Sequence, residues 1–186
     1  AVVHNGIIEN FAELRAELLA EGVEFQSQTD TEVAAALIAS SYNKLGTGNL
    51  TEAVRVASNR MEGAFTILAV HADHPDQVVA TRRNSPLVIG LGENENFLGS
   101  DVSAFIDHTK EAVEMGQDQI VTITSTDYSI IDFDGNPAEG KPFHIEWDAA
   151  AAEKGGYNSF MEKEIPEQPT AVEQTLLGRM DATGNL

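Results

Sequence analysis

Three polar residues near the amino terminus have types and spacing suited to acyl-transfer chemistry. The apolar run Ala1-Val2-Val3 leads into His4-Asn5-Gly6, and Ser27-Gln28-Thr29-Asp30-Thr31-Glu32-Val33 follows after one intervening segment. An extended run that ends on Asn5-Gly6 presents a side-chain amide and an unobstructed backbone N–H at one point. A carbonyl under nucleophilic attack gains negative charge on its oxygen. Donors fixed about 3 Å away stabilise that charge, and losing one typically costs about 2.7–4 kcal/mol. Glycine also lets a ligand approach the backbone closely. The same dipeptide is a common turn signal, so a plain strand-end turn stands beside the catalytic reading. Asp30 suits a substrate ammonium, and it equally suits a helix N-cap. A carboxylate has enough acceptor sites for both roles. His4 either lines the site or is a satisfied histidine at a strand end.

Other chemistries are excluded more firmly. The chain has no cysteine. It therefore supplies no thiol nucleophile, no disulfide and no thiolate ligand. His71 and His74 fall at an expected turn without partners at ligand spacing, so no metal site is expected. Gly90-Leu91-Gly92 and Gly155-Gly156 lack the continuation of a phosphate-binding loop. Ser40, Ser41 and Ser85 have no nucleophile-elbow context. No cofactor is expected. The net charge of −19, from 11 Lys and Arg against 30 Asp and Glu, argues against nucleic acid, because phosphate neutralisation needs clustered cations. Acidity of this kind keeps a protein soluble. No run reaches the roughly 18 apolar residues of a membrane span. No basic stretch precedes an apolar one as in a signal peptide. The expected compartment is the cytoplasm.

The elements that must position these residues follow from periodicity. Asn10, with Glu13 as capping-box partner, predicts a helix whose apolar face is Phe11, Leu14 and Leu18. Gly22 closes it, and Val23 to Gln26 reads as a short extended piece. Asp30 opens a second helix that ends at Gly46 and Gly48. Leu50 to Met61 reads as a third. After Gly63 the period becomes strand-like. Phe65–Val70 and Val78–Thr81 pair across a turn at His74-Pro75-Asp76. Leu87–Leu91 and Asn96–Gly99 pair across Gly92–Glu95. A short helix over Asp101–Thr109, strands at Ile120–Thr124 and Ser129–Phe133, and a turn at Asp134–Pro137 follow. Trp147 reads as a packing residue on the domain surface. Beyond Asp148, Ala149–Lys154, Tyr157–Ile165 and Ala171–Met180 look helical, broken by Pro166 and Pro169. The pattern predicts an α+β fold with antiparallel sheet and helices covering its faces.

Val2-Val3-His4-Asn5-Gly6-Ile7-Ile8-Glu9-Asn10, then Ser27 to Val33, closely resembles the class II glutamine amidotransferases, whose nucleophile is an N-terminal cysteine. Ser85 to Gly92, Asn96-Phe97, Ser100-Asp101 and Phe160 to Pro169 narrow the resemblance to the glutamine–fructose-6-phosphate aminotransferase family, over essentially the whole chain. In that family a glutaminase domain hydrolyses glutamine. The ammonia passes to a sugar-isomerase domain that makes glucosamine 6-phosphate from fructose 6-phosphate, the entry to amino-sugar biosynthesis. The resemblance implies that Asn5 and Gly6 form the oxyanion hole and that Asp30 binds the α-amino group of glutamine. It implies an N-terminal nucleophile hydrolase αββα sandwich with antiparallel sheets. Residues 1–147 would be a partial glutaminase domain, and 148–186 a connector toward the isomerase domain.

The nucleophile and the arginine segment that grips the glutamine carboxylate have no counterpart here. The chain is therefore expected to be a truncated, inactive piece with an incomplete sandwich. Its uncovered strand edge and apolar face would make it a homo-oligomer, or would make it rearrange near residue 1. Two other parents stay open: an amidotransferase of the phosphoribosyl pyrophosphate type, and a nucleophile-less homologue that binds a metabolite.

Overall fold

Branched and aromatic residues alternating after Gly63 build most of the sheet structure, and the amphipathic segments before it build the helices. The computed structural model describes residues 1–146 and 157–176. The chain divides into two units, Ala1–Glu146 and Trp147–Leu186.

In the first unit, β1 (Val2–Ile8) is followed by α1 (Phe11–Ala20), α2 (Asp30–Leu45) and α3 (Leu50–Ser58). Then come β2 (Gly63–His71), β3 (His74–Arg83), β4 (Val88–Leu91) and β5 (Asn96–Gly99). The remaining strands are β6 (Glu111–Glu114), β7 (Gln119–Ile123), β8 (Tyr128–Asp132), β9 (Pro137–Ala138) and β10 (Lys141–His144). They form a six-stranded sheet in the order β1-β2-β3-β7-β8-β9 and a four-stranded sheet in the order β10-β6-β4-β5. Every pairing is antiparallel.

Two cores hold the layers together. The helices cover one face of the larger sheet: Leu14, Leu18, Val33, Leu37 and Val54 pack with Ile8, Phe65 and Ile67. The other face meets the smaller sheet, where Ala80, Val121 and Ile130 pack with Leu87, Ile89 and Val113. Strand alternation divides each sequence between the two cores, as in Ile67 and Leu68. The outer face of the smaller sheet is covered at Gly90 by Phe105, whose ring would lie 2.6 Å from a Cβ at that glycine. Among the described residues of this unit the helices form one layer, so the layering is helix, sheet, sheet.

Several expectations are corrected. β1 does not end at Asn5-Gly6; it runs through them to Ile8. The β2–β3 turn falls at Ala72-Asp73, and His74-Pro75-Asp76 lies inside β3. The segment after Asp101 makes only a 3-10 turn, Val102–Ala104, which Asp101 caps through Ser103 N–H. β6, β9 and β10 are short, and their alternation is too brief to stand out in the sequence. The second unit contains α4 (Phe160–Leu176), which continues through Pro166 and Pro169 although each removes a ladder donor. The expected helices at Ala149–Lys154 and toward Met180, and the placement of Trp147, lie wholly or partly outside the described residues. No described helix is long and apolar enough to cross a membrane.

Asn10 shows how tertiary contacts displace a local signal. It occupies the N-cap position of α1, yet its side chain makes no cap bond. Its amide instead donates to Arg60 O at 2.9 Å and accepts from Glu62 N–H at 3.0 Å. This ties the end of β1 to the link between α3 and β2. Asn10→Ala is expected to lower stability by about 1–3 kcal/mol, because two backbone groups lose their partner. Urea denaturation monitored by far-UV circular dichroism measures it.

Candidate active site

Among the described residues β1 is an edge strand with one neighbour, β2. Ala1 and Val70 exchange both backbone hydrogen bonds, at 2.9 and 3.0 Å, and Glu9 N–H donates to Glu62 O at 2.9 Å. In this antiparallel register the odd-numbered residues of β1 bond to β2, and the peptide groups of His4, Gly6 and Ile8 face the open edge. The pairing with β2 is regular from Val2 onward.

Side chains alternate across the strand. His4 and Ile8 turn toward the helices, and the His4 side chain is only 2% exposed. Val3, Asn5 and Ile7 turn to the opposite face, which elsewhere packs on the smaller sheet. Along β1 that face is open: Val3 is 68% exposed and Ile7 66%. Asn5 therefore sits on an accessible face between two apolar side chains. Gly6 lies opposite Phe65, with φ +134°. A Cβ at Gly6 would lie 2.1 Å from Ala64 O. Both the conformation and the close approach of β2 require glycine at this position.

Asp30 is positioned by the start of α2. Thr29, not Asp30, is the N-cap: its hydroxyl accepts from Glu32 N–H at 3.3 Å. Glu32 reaches back to Gln26 N–H and Ser27 N–H, both at 2.7 Å, and to the Ser27 hydroxyl at 2.6 Å. The arrangement is a variant of the capping box. With capping done by Thr29, the Asp30 carboxylate is released for other work. Its Oδ2 accepts from Ile8 N–H at 2.9 Å, and its Oδ1 lies 3.6 Å from His4 Nδ1. His4 Nδ1 also lies 3.0 Å from the Thr31 hydroxyl. The Asp30 side chain remains 23% exposed.

The structure thus joins Asp30 to His4 and to the open edge of β1. It places Asn5 on the far face of the same strand, with no hydrogen bond between Asn5 and Asp30 among the described residues. Sequence reasoning missed Thr31 and Glu32. The signal for Glu32 was present as Thr29-x-x-Glu32 before an apolar run. Among the described residues no group of three or more His, Asp or Glu could hold a metal.

Residues 1–107 match the family model of the glutamine amidotransferase domain. The chain belongs to the glutamine amidotransferase family. The glutamine–fructose-6-phosphate aminotransferases of Corynebacterium efficiens and Corynebacterium glutamicum are each 67% identical to it over 186 residues, 100% of this chain and 30% of theirs. That of Mycobacterium tuberculosis is 59% identical over 184 residues, 96% of this chain and 30% of its own. The chain spans about three tenths of the length of these relatives. Among solved structures, glutamine phosphoribosylpyrophosphate amidotransferase from B. subtilis superposes with a TM-score of 0.62 at 24% identity, over 74% of this chain and 30% of that one. The likeness shows the fold: an α+β sandwich of two antiparallel sheets, the sheet arrangement the sequence led one to expect.

Two outcomes test the local geometry. Gly6→Ala is expected to cost at least about 1–3 kcal/mol from its backbone conformation alone, before the contact with Ala64 O is relieved. A lowered denaturation midpoint with unchanged cooperativity measures it. The Gln26 N–H, with the Ser27 hydroxyl and N–H, holds the Glu32 carboxyl below its ordinary pKa. A depressed folded-state pKa contributes stability above the ordinary glutamate value and loses it as pH falls through the folded value. Glu32→Gln should therefore flatten the loss of thermal stability as pH falls from the ordinary glutamate value through the lower folded one, seen by comparing melting curves of the two proteins across the acid limb.

Proposed function

We propose that the chain is the glutaminase portion of a glutamine–fructose-6-phosphate aminotransferase. The observation that carries this reading is 67% identity along the full 186 residues to aminotransferases of that name. The fold alone does not separate this parent from the phosphoribosylpyrophosphate type, since the structural likeness holds at 24% identity. In this reading the parent enzyme hydrolyses glutamine and uses the ammonia to convert fructose 6-phosphate to glucosamine 6-phosphate. Residues 1–147 form part of the glutaminase domain, and 148–186 connect it to a sugar-isomerase domain. In this reading the compartment is the cytoplasm, and the chain pairs with a second copy through the open edge and apolar face of β1.

The site residues take their roles from the open edge of β1. The Asn5 amide and the Gly6 N–H hold the oxygen of the glutamine carboxamide as it becomes an oxyanion. Asp30, anchored on Ile8, receives the α-ammonium. Gly6 and Ile8 are two residues apart on an extended strand, about 6.8 Å. An extended glutamine measures about 5 Å from its amide carbon to its α-nitrogen, by ordinary bond lengths. The substrate therefore matches the strand edge in length, with its carboxamide toward the Gly6 N–H and its ammonium toward Asp30. Attack on the carboxamide needs a nucleophile, and this chain contains no cysteine to provide one.

Glutaminase assays test the reading. The 186-residue chain is expected to release no ammonia from L-glutamine and to bind it more weakly than the low-micromolar range by calorimetry. A polypeptide of the relatives' full length carrying these residues should release ammonia and form glucosamine 6-phosphate. In that polypeptide Asn5→Ala should lower kcat by about 100- to 1,000-fold. Ammonia release by the 186-residue chain alone, or a full-length protein that does not aminate fructose 6-phosphate, overturns it.

A further inference from the structure

His4 is the most deeply buried titratable side chain near the candidate site, with 2% of its side chain exposed. Its Nε2 is buried with no hydrogen-bond partner among the described residues. An apolar residue would fill this place without leaving a bare polar atom, so burying the imidazole costs stability unless its other nitrogen is needed. That nitrogen, Nδ1, lies 3.0 Å from the Thr31 hydroxyl and 3.6 Å from Asp30 Oδ1. A proton on Nδ1 serves this oxygen pair and leaves Nε2 with a bare lone pair. The other tautomer would strand an N–H donor in the core and turn a lone pair toward the carboxylate.

We propose that His4 is a positioning residue for glutamine recognition. Its Nδ1–H, donated to the Thr31 hydroxyl, turns its positive end to Asp30 Oδ1 at 3.6 Å and so orients the carboxylate: Oδ2 stays on Ile8 N–H while Oδ1 is presented to the substrate ammonium. His4 does not touch the substrate. It acts on specificity for an α-amino group through Asp30. The inference rests on the assignment of Asp30 as the ammonium anchor made above.

The position of the donor provides the test. In asparagine the amide nitrogen is bonded to Cγ, as Nδ1 is in histidine; in glutamine it lies one bond further out. His4→Asn therefore keeps a donor near Asp30 and Thr31, and His4→Gln displaces it. The readout is the ratio of kcat/KM for L-glutamine to that for 4-carbamoylbutanoate, which is glutamine without its α-amino group, in the full-length enzyme. His4→Gln is expected to lower this ratio about tenfold, through KM for glutamine, with the value for 4-carbamoylbutanoate unchanged. His4→Asn should restore most of the ratio. Thr31→Val, which removes the other partner of Nδ1, should lower the ratio in the same sense and supplies the comparison if a His4 variant does not fold.

Equal loss on both substrates, or no change in the ratio with His4→Gln and Thr31→Val, overturns the proposal. Asp30→Asn separates the two levels. If it leaves the ratio unchanged, the anchor assignment itself is wrong. If it collapses the ratio while the His4 and Thr31 variants do not, only the role of His4 is wrong.

Discussion

The hydrogen bond from Ile8 N–H to the Asp30 carboxylate is the contact on which the candidate site depends. An edge strand carries a row of unpaired donors and acceptors along its open side. Here one of those donors is satisfied by the first residue of α2, at 2.9 Å. The bond fixes where the helix begins relative to the strand. It also brings a carboxylate to the same open edge that presents Gly6. That carboxylate is available because Thr29 and Glu32 do the capping that the helix start requires. The local energetics of a helix terminus thus determine which residue is left to meet a ligand.

Gly6 imposes a complementary constraint from the other side of the strand. Its positive φ and the approach of Ala64 O leave no room for a side chain. β1 and β2 therefore come close at the point where a substrate oxygen would be held. The neighbouring Val3 and Ile7 remain largely exposed, although their face of the sheet is the one that packs on the smaller sheet further along. An apolar, open strand face of this kind is a surface with a large gain available from being covered.

Much of this was readable in the residues. Asn49 caps α3 as its side-chain type suggests, with the amide oxygen accepting from Glu52 N–H. The β4–β5 pair falls where the apolar runs and the Gly92–Glu95 loop put it. Local pattern failed where a distant partner competed for the same atoms. Asn10 has the type and position of a cap, but Arg60 and Glu62 take its amide. Asp30 looked like a cap, but the hydroxyl one residue earlier was better placed, and Ile8 claimed the carboxylate. Asn5-Gly6 looked like a strand end because Asn-Gly favours turns. Pairing with Thr66 and Phe65 keeps the strand going.

By itself the sequence determined the three amino-terminal helices, the longer strands, the absence of a thiol nucleophile, and the family, because these depend on residue identity and short-range spacing. Tertiary structure decided which face of β1 each side chain occupies. It put His4 and Asp30 together on the helix side and Asn5 on the other. Those outcomes depend on register and on which strand lies alongside β1, and register is set by contacts between segments some sixty residues apart, such as Val2 with Ala69. No local pattern encodes a pairing at that separation.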